Sequence, residues 1–237
     1  MKIGFIGLGN MGGSLARLVA QDERFRSELL LANRSRDKAE KIAAEVGGQP
    51  VSNAEVFSEA EVIFLGIKPA QFADLLAEYH EVLEERDSLL LVSMAAGLPL
   101  KTIEKLTPSH HRWIRIMPNT PVAVGEGVIT YALSQQANQV DEDLLRELLS
   151  SAGLLVKLEE KQLDAATALA GCGPAFVYLF IEALADAGVR AGLSRDISLE
   201  LANQTLLGAA KLSQVSGQHP AQLKDQVCSP AGSTIAG

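Results

Sequence analysis

One stretch at the start of the chain limits the possible folds more than any other. Lys2-Ile3-Gly4-Phe5-Ile6 is a short apolar run suited to a β-strand. It leads into Gly7-Leu8-Gly9-Asn10-Met11-Gly12, with the spacing G-x-G-x-x-G, and Ser14 to Val19 then carries apolar residues at helical spacing. Strand, glycine turn and helix in this order are the context that a dinucleotide fingerprint requires. Gly7 lets the chain turn sharply. Gly9 lacks the Cβ that would block a pyrophosphate, and Gly12 lets the helix pack close to the strand. The first free N–H groups of the helix then face a phosphate anion. Outside this context the same spacing marks only a tight turn.

The end of the next strand separates the two nicotinamide cofactors. Glu28 to Asn33 reads as that strand, and Arg34-Ser35-Arg36 follows it. An Asp or Glu there would bond the adenosine 2′-hydroxyl and disfavour a 2′-phosphate. Here Asn33, Arg34 and Ser35 stand instead. Arg34 can clamp a 2′-phosphate through a charge-assisted fork, and Ser35 can add a hydrogen bond. The expectation is NADPH in preference to NADH, with NADH still possible. The plainer reading makes Arg34 and Arg36 solvated loop charges.

Further along, apolar strands alternate with helical segments. Lys38–Val46 reads as a helix and Gln49–Ser52 as a short extended segment, with Asn53 at a plausible N-cap before Ala54–Ser58. Glu61–Ile67 is a strongly apolar strand, as in a parallel sheet buried on both faces, and it ends in Lys68-Pro69. A helix over Phe72–Glu81, a strand over Ser88–Ser93 ending at Met94-Ala95-Ala96-Gly97, and a helix over Leu100–Leu106 follow. Then come a strand over Arg112–Met117 closing at Pro118-Asn119-Thr120-Pro121, a strand over Val128–Leu133, a helix over Asp141–Ser151 and a last strand over Leu154–Lys157. Such alternation implies right-handed βαβ units in a doubly wound parallel sheet of Rossmann type. Ligands in these sheets sit at the carboxyl ends of strands, where Gly7, Asn33, Lys68, Ala96 and Asn119 fall.

The alternation stops near Leu158, which sets the expected boundary: a dinucleotide-binding domain over 1–158 and an all-α domain over 159–237. In the second part Gly171-Cys172-Gly173-Pro174 interrupts one helical stretch, and Pro174 suits the first turn of the next. From Ala175 to Ala187 the residues are apolar almost all round. A helix without a polar face is buried on every side, and a domain this small can hardly bury it alone. A second subunit is therefore expected. Ser194–Ser216 and Ala221–Gln226 read as helices, and Ser229 to Thr234 as a turn into one more.

Composition narrows the class. Hydrophobic residues make up 47% of the 237 and charged residues 21%, as in ordinary globular proteins. No apolar run reads as long enough to span a bilayer, and the start lacks the basic region and cleavage site of a signal peptide. No membrane association is expected. With 2 cysteines no disulfide framework is implied, and the expected compartment is the cytoplasm. The net charge of −8, without a dense Lys/Arg cluster, argues against a nucleic-acid partner. No metal site is expected. The four histidines, His80, His110, His111 and His219, lie outside every motif and read as surface or helix-end residues.

An ordered set of motifs runs the length of the chain: G-L-G-N-M-G at Gly7–Gly12, N-R-S at Asn33–Ser35, I-K-P at Ile67–Pro69 and A-A-G at Ala95–Gly97. M-P-N-T-P follows at Met117–Pro121, with G-E-G at Gly125–Gly127, then G-C-G-P-A at Gly171–Ala175 and L-K-D-Q-V-C-S-P-A-G-S-T at Leu223–Thr234. In this the chain resembles the pyrroline-5-carboxylate reductases. The resemblance implies reduction of the C=N bond of 1-pyrroline-5-carboxylate to L-proline, the last step of proline biosynthesis. The hydride would come from NADPH or NADH. It implies a homodimer or larger homo-oligomer with interleaved helical domains and an active site between one Rossmann domain and the helical dimer.

Together with the fingerprint, the resemblance implies that the cofactor is held by Ile6, Gly7, Leu8, Gly9, Asn10, Met11, Gly12, Asn33, Arg34, Ser35, Asn53, Ile67, Lys68, Pro69, Ala95, Ala96 and Gly97. It implies that the substrate is held by Asn119, Gly173, Pro174, Ser229, Gly232, Ser233 and Thr234. The chain departs from the family pattern at Ala170, Cys172, Ala231 and Ser233, all small-for-small changes. At Ala231 a glycine can adopt φ > 0, which alanine resists. The family continues for a further helix beyond Gly237.

The chemistry suits these residues. In hydride transfer the cofactor carries the difficult step and the protein orients it. A protonated imine is already a good electrophile, so no strong general acid is required. Gly232, Ser233 and Thr234 at a helix start offer converging N–H groups to a carboxylate, and Thr234 would place its hydroxyl near the ring nitrogen as the catalytic contact. The plainer reading is a capped helix start. Cys172 and Cys228 are not read as nucleophiles. Two other functions fit parts of the pattern. A β-hydroxyacid-type dehydrogenase would need a lysine on its first long helix, and Gly171–Ala187 has none. A reductase-like NADP-binding regulatory protein would keep the fold without turnover.

Overall fold

The first strand lies inside the sheet, third from one edge. In the computed structural model, which describes residues 1–236, the strands are β1 (Ile3–Ile6), β2 (Leu29–Ala32), β3 (Gln49–Pro50), β4 (Val62–Leu65), β5 (Leu90–Ser93), β6 (Arg112–Pro118), β7 (Gly127–Leu133) and β8 (Gly153–Lys157). Their order in the sheet is β3-β2-β1-β4-β5-β6-β7-β8. β1 pairs in parallel with both β2 and β4, Ile3 standing opposite Leu29 and Val62. The connections leave β1 in opposite directions, which makes its carboxyl end the switch point of the sheet.

One pairing departs from the expected parallel sheet: β7 runs antiparallel to β6. Only residues 119–126 lie between them, mostly one 3-10 turn at Thr120–Val124. That is too short for the crossover a parallel neighbour needs. β8 is again parallel to its neighbour β7.

β1, β2, β4 and β5 are buried along their whole length, which fits their continuous apolar sequence. Helices cover both faces. On one, Asn10–Val19 and Arg36–Val46 pack Leu15, Ala16, Ile42 and Ala43 against Phe5 and Leu31. On the other, Asn53–Glu59, Phe72–Glu78 and His80–Glu85 bring Phe57, Phe72 and Leu83 against Ile63 and Leu91. Phe5 and Phe64 stack within the sheet at 4.7 Å. The helix expected over Phe72–Glu81 is two helices, divided at Tyr79, whose ring packs on Phe57 at 5.0 Å.

The Asn53–Glu59 helix is not capped by Asn53, as expected, but by Ser52. The Ser52 Oγ accepts from Glu55 N, and the Glu55 carboxylate accepts from Ser52 N at 2.7 Å, a full capping box. Asn53 is thereby the first helical residue, and its amide is not used as a cap.

By its contacts the chain divides into two compact units, Met1–Pro174 and Ala175–Gly237. Glu160–Gln162, Leu163–Ala166 and the wide turn Thr167–Gly171 close the first. Leu163 is fully buried in the same core cluster as Trp113. Arg115 on β6 reaches Glu160 at 3.3 Å and Asp164 at 3.2 Å. The Gly171–Pro174 segment does not break the helix as expected. It is passed by a π-type turn, with Cys172 N donating to Thr167 O at 2.9 Å, and a single bend at Cys172. The consequence corrects a second expectation. Glu160–Arg190 is a helical run of 31 residues with a mean hydropathy of 1.7 over its most apolar window, which by length and composition alone could cross a membrane.

The second unit is built from the helices Gly173–Arg190, Arg195–Ser216, Pro220–Gln226 and Ser233–Ala236. Gly192 at φ 101° turns the chain between the first two, and Ser194 caps the second by accepting from Ile197 N. These helices approach closely where Gly188 faces Ser198. A Cβ at Gly188 would lie 2.6 Å from the Ser198 Oγ. Phe176, Tyr178, Leu179 and Phe180 stay exposed in the single chain. The terminal residue of the expected 159–237 domain, Gly237, lies outside the described residues.

Candidate active site

The glycine turn takes the shape that its spacing implies. Gly7 sits at φ 91°, and a Cβ on it would meet Gly66 O at 2.7 Å. A Cβ on Gly12 would lie 2.1 Å from Gly7 O, so the helix can approach the strand this closely only with glycine there. A Cβ on Gly9 would meet nothing within 4 Å. Gly9 faces open space, as needed where a pyrophosphate passes. Gly9 is also the N-cap of the Asn10–Val19 helix and offers no side-chain cap. The N–H groups of Asn10, Met11 and Gly12 at the start of this helix are the ones an anion would take.

Asn33 ties this turn to the end of β2. Its Oδ1 accepts from Leu8 N at 2.9 Å, and its Nδ2 donates to Ser35 O at 3.1 Å. Asn33 thereby fixes the loop that carries Arg34 and Ser35. Arg34 is exposed, and Ser35 caps the Arg36–Val46 helix by position without a side-chain bond. A cleft of about 470 Å³ opens beside this loop. Its walls include Ile6, Gly7, Gly9, Asn33, Arg34, Asn53, Ile67 and Lys68 from the expected cofactor set. Gly66, Gln71, Asp74, Leu75 and Glu78 also line it and were not expected. Gly66 had a signal in the sequence, a glycine at the end of an apolar strand. The others lie on the turn and helix after Pro69, where no motif marks them. Leu8 and Asn10 line a neighbouring cavity of about 330 Å³ with Ser14, Arg17, Lys38 and Lys41.

The remaining expected cofactor residues are spread along the carboxyl edge of the sheet. Lys68 precedes the 3-10 turn that begins at Pro69. Ala95 is buried after β5, with its N–H donating to the Ser93 Oγ at 3.2 Å. Ala96 and Gly97 are exposed, and Gly97 turns at φ 70°.

Of the expected substrate residues, Asn119 is buried at the end of β6. Its Oδ1 accepts from Val128 N at 2.8 Å, and its Nδ2 donates to Ala170 O at 3.0 Å. Gly173 and Pro174 begin the long helix just after the wide turn. In the second unit Ser229 O accepts from Gly232 N at 3.0 Å, and Ser233 and Thr234 are exposed in the first turn of the helix Ser233–Ala236. Ala231 adopts φ 57°, the one positive φ outside glycine among the described residues, at the position where the departure from the family pattern made strain expected.

His111 is the histidine that differs from its sequence reading. It is buried, its Nδ1 accepting from Leu89 N at 3.2 Å and its Nε2 donating to Leu83 O at 3.0 Å. Burial, helped by the neighbouring His110, pushes its pKa down to about 4. It is a neutral structural group. His80 and His110 are exposed, and His219 caps the Pro220–Gln226 helix.

Comparison with known proteins points to one family. Residues 160–237 match the family model described as pyrroline-5-carboxylate reductase dimerisation, and residues 2–97 match one described as NADP oxidoreductase, coenzyme F420-dependent. A pyrroline-5-carboxylate reductase of Pisum sativum is 42% identical over 237 residues, covering 99% of this chain and 85% of that protein. One of Glycine max is 44% identical over 242 residues, with 99% and 85% covered. A solved pyrroline carboxylate reductase of Plasmodium falciparum, with NADP bound, superposes with a TM-score of 0.87 at 35% identity, covering 100% of this chain and 87% of that one. The chain belongs to the pyrroline-5-carboxylate reductase family.

Proposed function

We propose that this chain reduces 1-pyrroline-5-carboxylate to L-proline as an NAD(P)H-dependent reductase, the last step of proline biosynthesis. The observation that carries the reading is membership of the family over 99% of this chain, together with an open glycine turn at the switch point of the sheet. Bound NADPH would supply the hydride. The protein's part is to bind and orient. The uncapped helix start at Gly9–Gly12 takes the pyrophosphate, and Asn33 holds the β2 loop so that Arg34 and Ser35 meet the 2′-phosphate. Ile6, Leu8, Asn53, Ile67, Lys68 and Pro69 shape the adenosine side. Ala95, Ala96 and Gly97, after β5, flank the nicotinamide.

The substrate carboxylate is assigned to the Ser229, Gly232 and Ser233 turn, and the imine nitrogen to the Thr234 hydroxyl. Asn119, Gly173 and Pro174 belong to the same substrate end. No titrating side chain is needed, because the protonated imine already accepts hydride. We place the functional division at 158/159, close to Glu160 where the dimerisation-type match starts, although the first turns after it pack on the sheet. The active form is proposed to be a homodimer or larger homo-oligomer, with the exposed apolar face of the Gly173–Arg190 helix as the contact. Both cysteines are free, as the proposed cytoplasmic location allows.

The test is oxidation of NADPH with 1-pyrroline-5-carboxylate, followed by absorbance. Turnover supports the reading. Cofactor binding without turnover would favour a regulatory protein. Thr234→Ala should lower kcat by about tenfold or more while NADPH affinity stays nearly intact. Wild-type turnover in that variant would reduce the hydroxyl to a helix cap.

A further inference from the structure

The wide turn before the long helix has a missing hydrogen-bond donor, and a buried side chain from the sheet supplies it. In an α-helical ladder Ala170 O would accept from the N–H of residue 174. Residue 174 is proline and has no N–H. The strand β6 ends beside this gap. From there Asn119 donates its Nδ2 to Ala170 O at 3.0 Å. The other end of the same amide accepts from Val128 N at 2.8 Å, and the Asn119 backbone N–H donates to Val128 O at 3.1 Å. The side chain is thus held by β7 on one side and holds the turn on the other. It is buried, so neither bond is exchanged freely with water.

We propose that Asn119 is a positioning residue for the reduction. It fixes the Gly171–Pro174 segment against the carboxyl end of β6 by supplying the donor that Pro174 lacks. This rests on the assignment of Gly173 and Pro174 to the substrate end of the site. Asn119 acts through Ala170 and need not touch substrate. The choice of residue follows from the chemistry: one group must accept from β7 and donate to the turn, in a fixed plane, without charge. An amide does this. A carboxylate would keep the bond to Val128 N but set an oxygen against the Ala170 carbonyl. π-type turns of this kind recur at functional sites, and they need outside partners for the carbonyls they leave free.

Asn119→Asp separates the two bonds. At neutral pH the variant should lose about tenfold or more in kcat/KM for 1-pyrroline-5-carboxylate, with NADPH affinity within about twofold of wild type. As pH falls the buried carboxyl takes up a proton and becomes a donor. Its activity relative to wild type at each pH should therefore recover, and Asn119→Ala should show no such recovery. A second arm uses Pro174→Ala, which returns an N–H to residue 174. In that background Asn119→Asp should cost about threefold less than in the wild-type chain. The positioning role is overturned by wild-type kinetics in Asn119→Asp, by a deficit that is flat with pH and additive with Pro174→Ala, or by loss of NADPH binding or of folding along with activity. Those last results would make Asn119 a general support of the sheet. Wild-type protein that fails to reduce the imine would refute the functional reading itself, a result visible before any variant is made.

Discussion

The two units of this molecule are about equally rich in large apolar residues and treat them in opposite ways. In Met1–Pro174, Phe5, Phe57, Phe64, Phe72 and Trp113 are all 1% exposed or less. In Ala175–Gly237, Phe176 is 59% exposed, Leu179 62% and Phe180 66%. The first unit is layered, so each apolar strand face has a helix over it. In the second, the Gly173–Arg190 helix is apolar on too many sides for its few neighbours to cover. Apolar content alone therefore does not say where a core is closed. The first unit draws its stability from within one chain, and the second is proposed to draw it from another copy.

The strongest way to break this contrast is a charge on the second unit's open face. Phe180→Glu should give monomer or aggregate and abolish reduction, although Phe180 need not touch substrate. At about 25 cal/mol per Å², leaving several Phe and Leu side chains in water costs several kcal/mol, and a two-fold contact removes that cost on both chains. Sedimentation velocity reads the outcome. A stable, fully active wild-type monomer at assay concentration would end the dimer proposal.

A second perturbation should touch only the first unit. His111 is neutral and buried in the folded chain, with its pKa pushed down to about 4 from 6.5. As pH falls below 6.5 the unfolded chain binds the proton first. The stabilising contribution is complete above that value and is lost progressively down to about 4, amounting to up to about 3 kcal/mol. Denaturant melts at pH of about 7, 6 and 5 should show His111→Gln losing less on acidification than wild type. Equal slopes would place His111 in water. Because the proposed origin is inside one chain, the difference should not depend on protein concentration.

Legibility in the sequence follows the same division. The glycine turn and the apolar strands could be read because their patterns are local: a strand buried on both faces is continuous in apolar residues, and Gly7 and Gly12 are required by backbone approach. β7's reversal was hidden because it depends on the length of the Asn119–Glu126 connection rather than on any residue's preference. Ser52 displaced Asn53 as the cap because Glu55 lies three residues after Ser52, and that reciprocal pair outweighs a lone Asn. His111 gave no sign of burial, since its partners, Leu83 O and Leu89 N, are backbone atoms. The Gly-Cys-Gly-Pro run looked like a break because both residue types end helices. Asn119, distant in sequence, supplies the donor that Pro174 lacks beside the turn. Arg34 could be placed on the cleft from sequence, whereas Gln71, Asp74 and Glu78 could not.

Arg34 offers a more selective test of the first unit's proposed role. Arg34→Ala should weaken NADPH by about 1–3 kcal/mol through loss of a charge-assisted pair, and NADH far less. Dissociation constants for both cofactors decide it. Equal losses would make Arg34 a general surface charge and leave the 2′-phosphate to other residues. The variant should leave the sedimentation of the protein unchanged, because nothing in the exposed helix face depends on it.

The smallest expected effect lies in the second unit, at Ala231. Seven glycines with positive φ accommodate turns elsewhere in the described chain, whereas here an alanine stands at φ 57°. The left-handed region brings its Cβ towards the next carbonyl and costs an L-residue about 1–2 kcal/mol. Replacing it by glycine relieves that strain but also frees the unfolded chain, which takes back about 0.4–1 kcal/mol. The two terms oppose each other, so Ala231→Gly should be stabilising by roughly 0 to 1.6 kcal/mol. Ala231→Val should destabilise by more than that, since a β-branched side chain resists positive φ further. Both can be read from melts of the assembled protein at fixed concentration. The turn lies between Ser229 and Gly232, so the same pair should move the KM for 1-pyrroline-5-carboxylate in the same order while the cofactor constants stay put. If glycine instead destabilises by the amount usual for an added unfolded-state freedom, the turn relaxes out of the left-handed region in the assembled protein. In that case the second unit carries no strain at its proposed substrate turn.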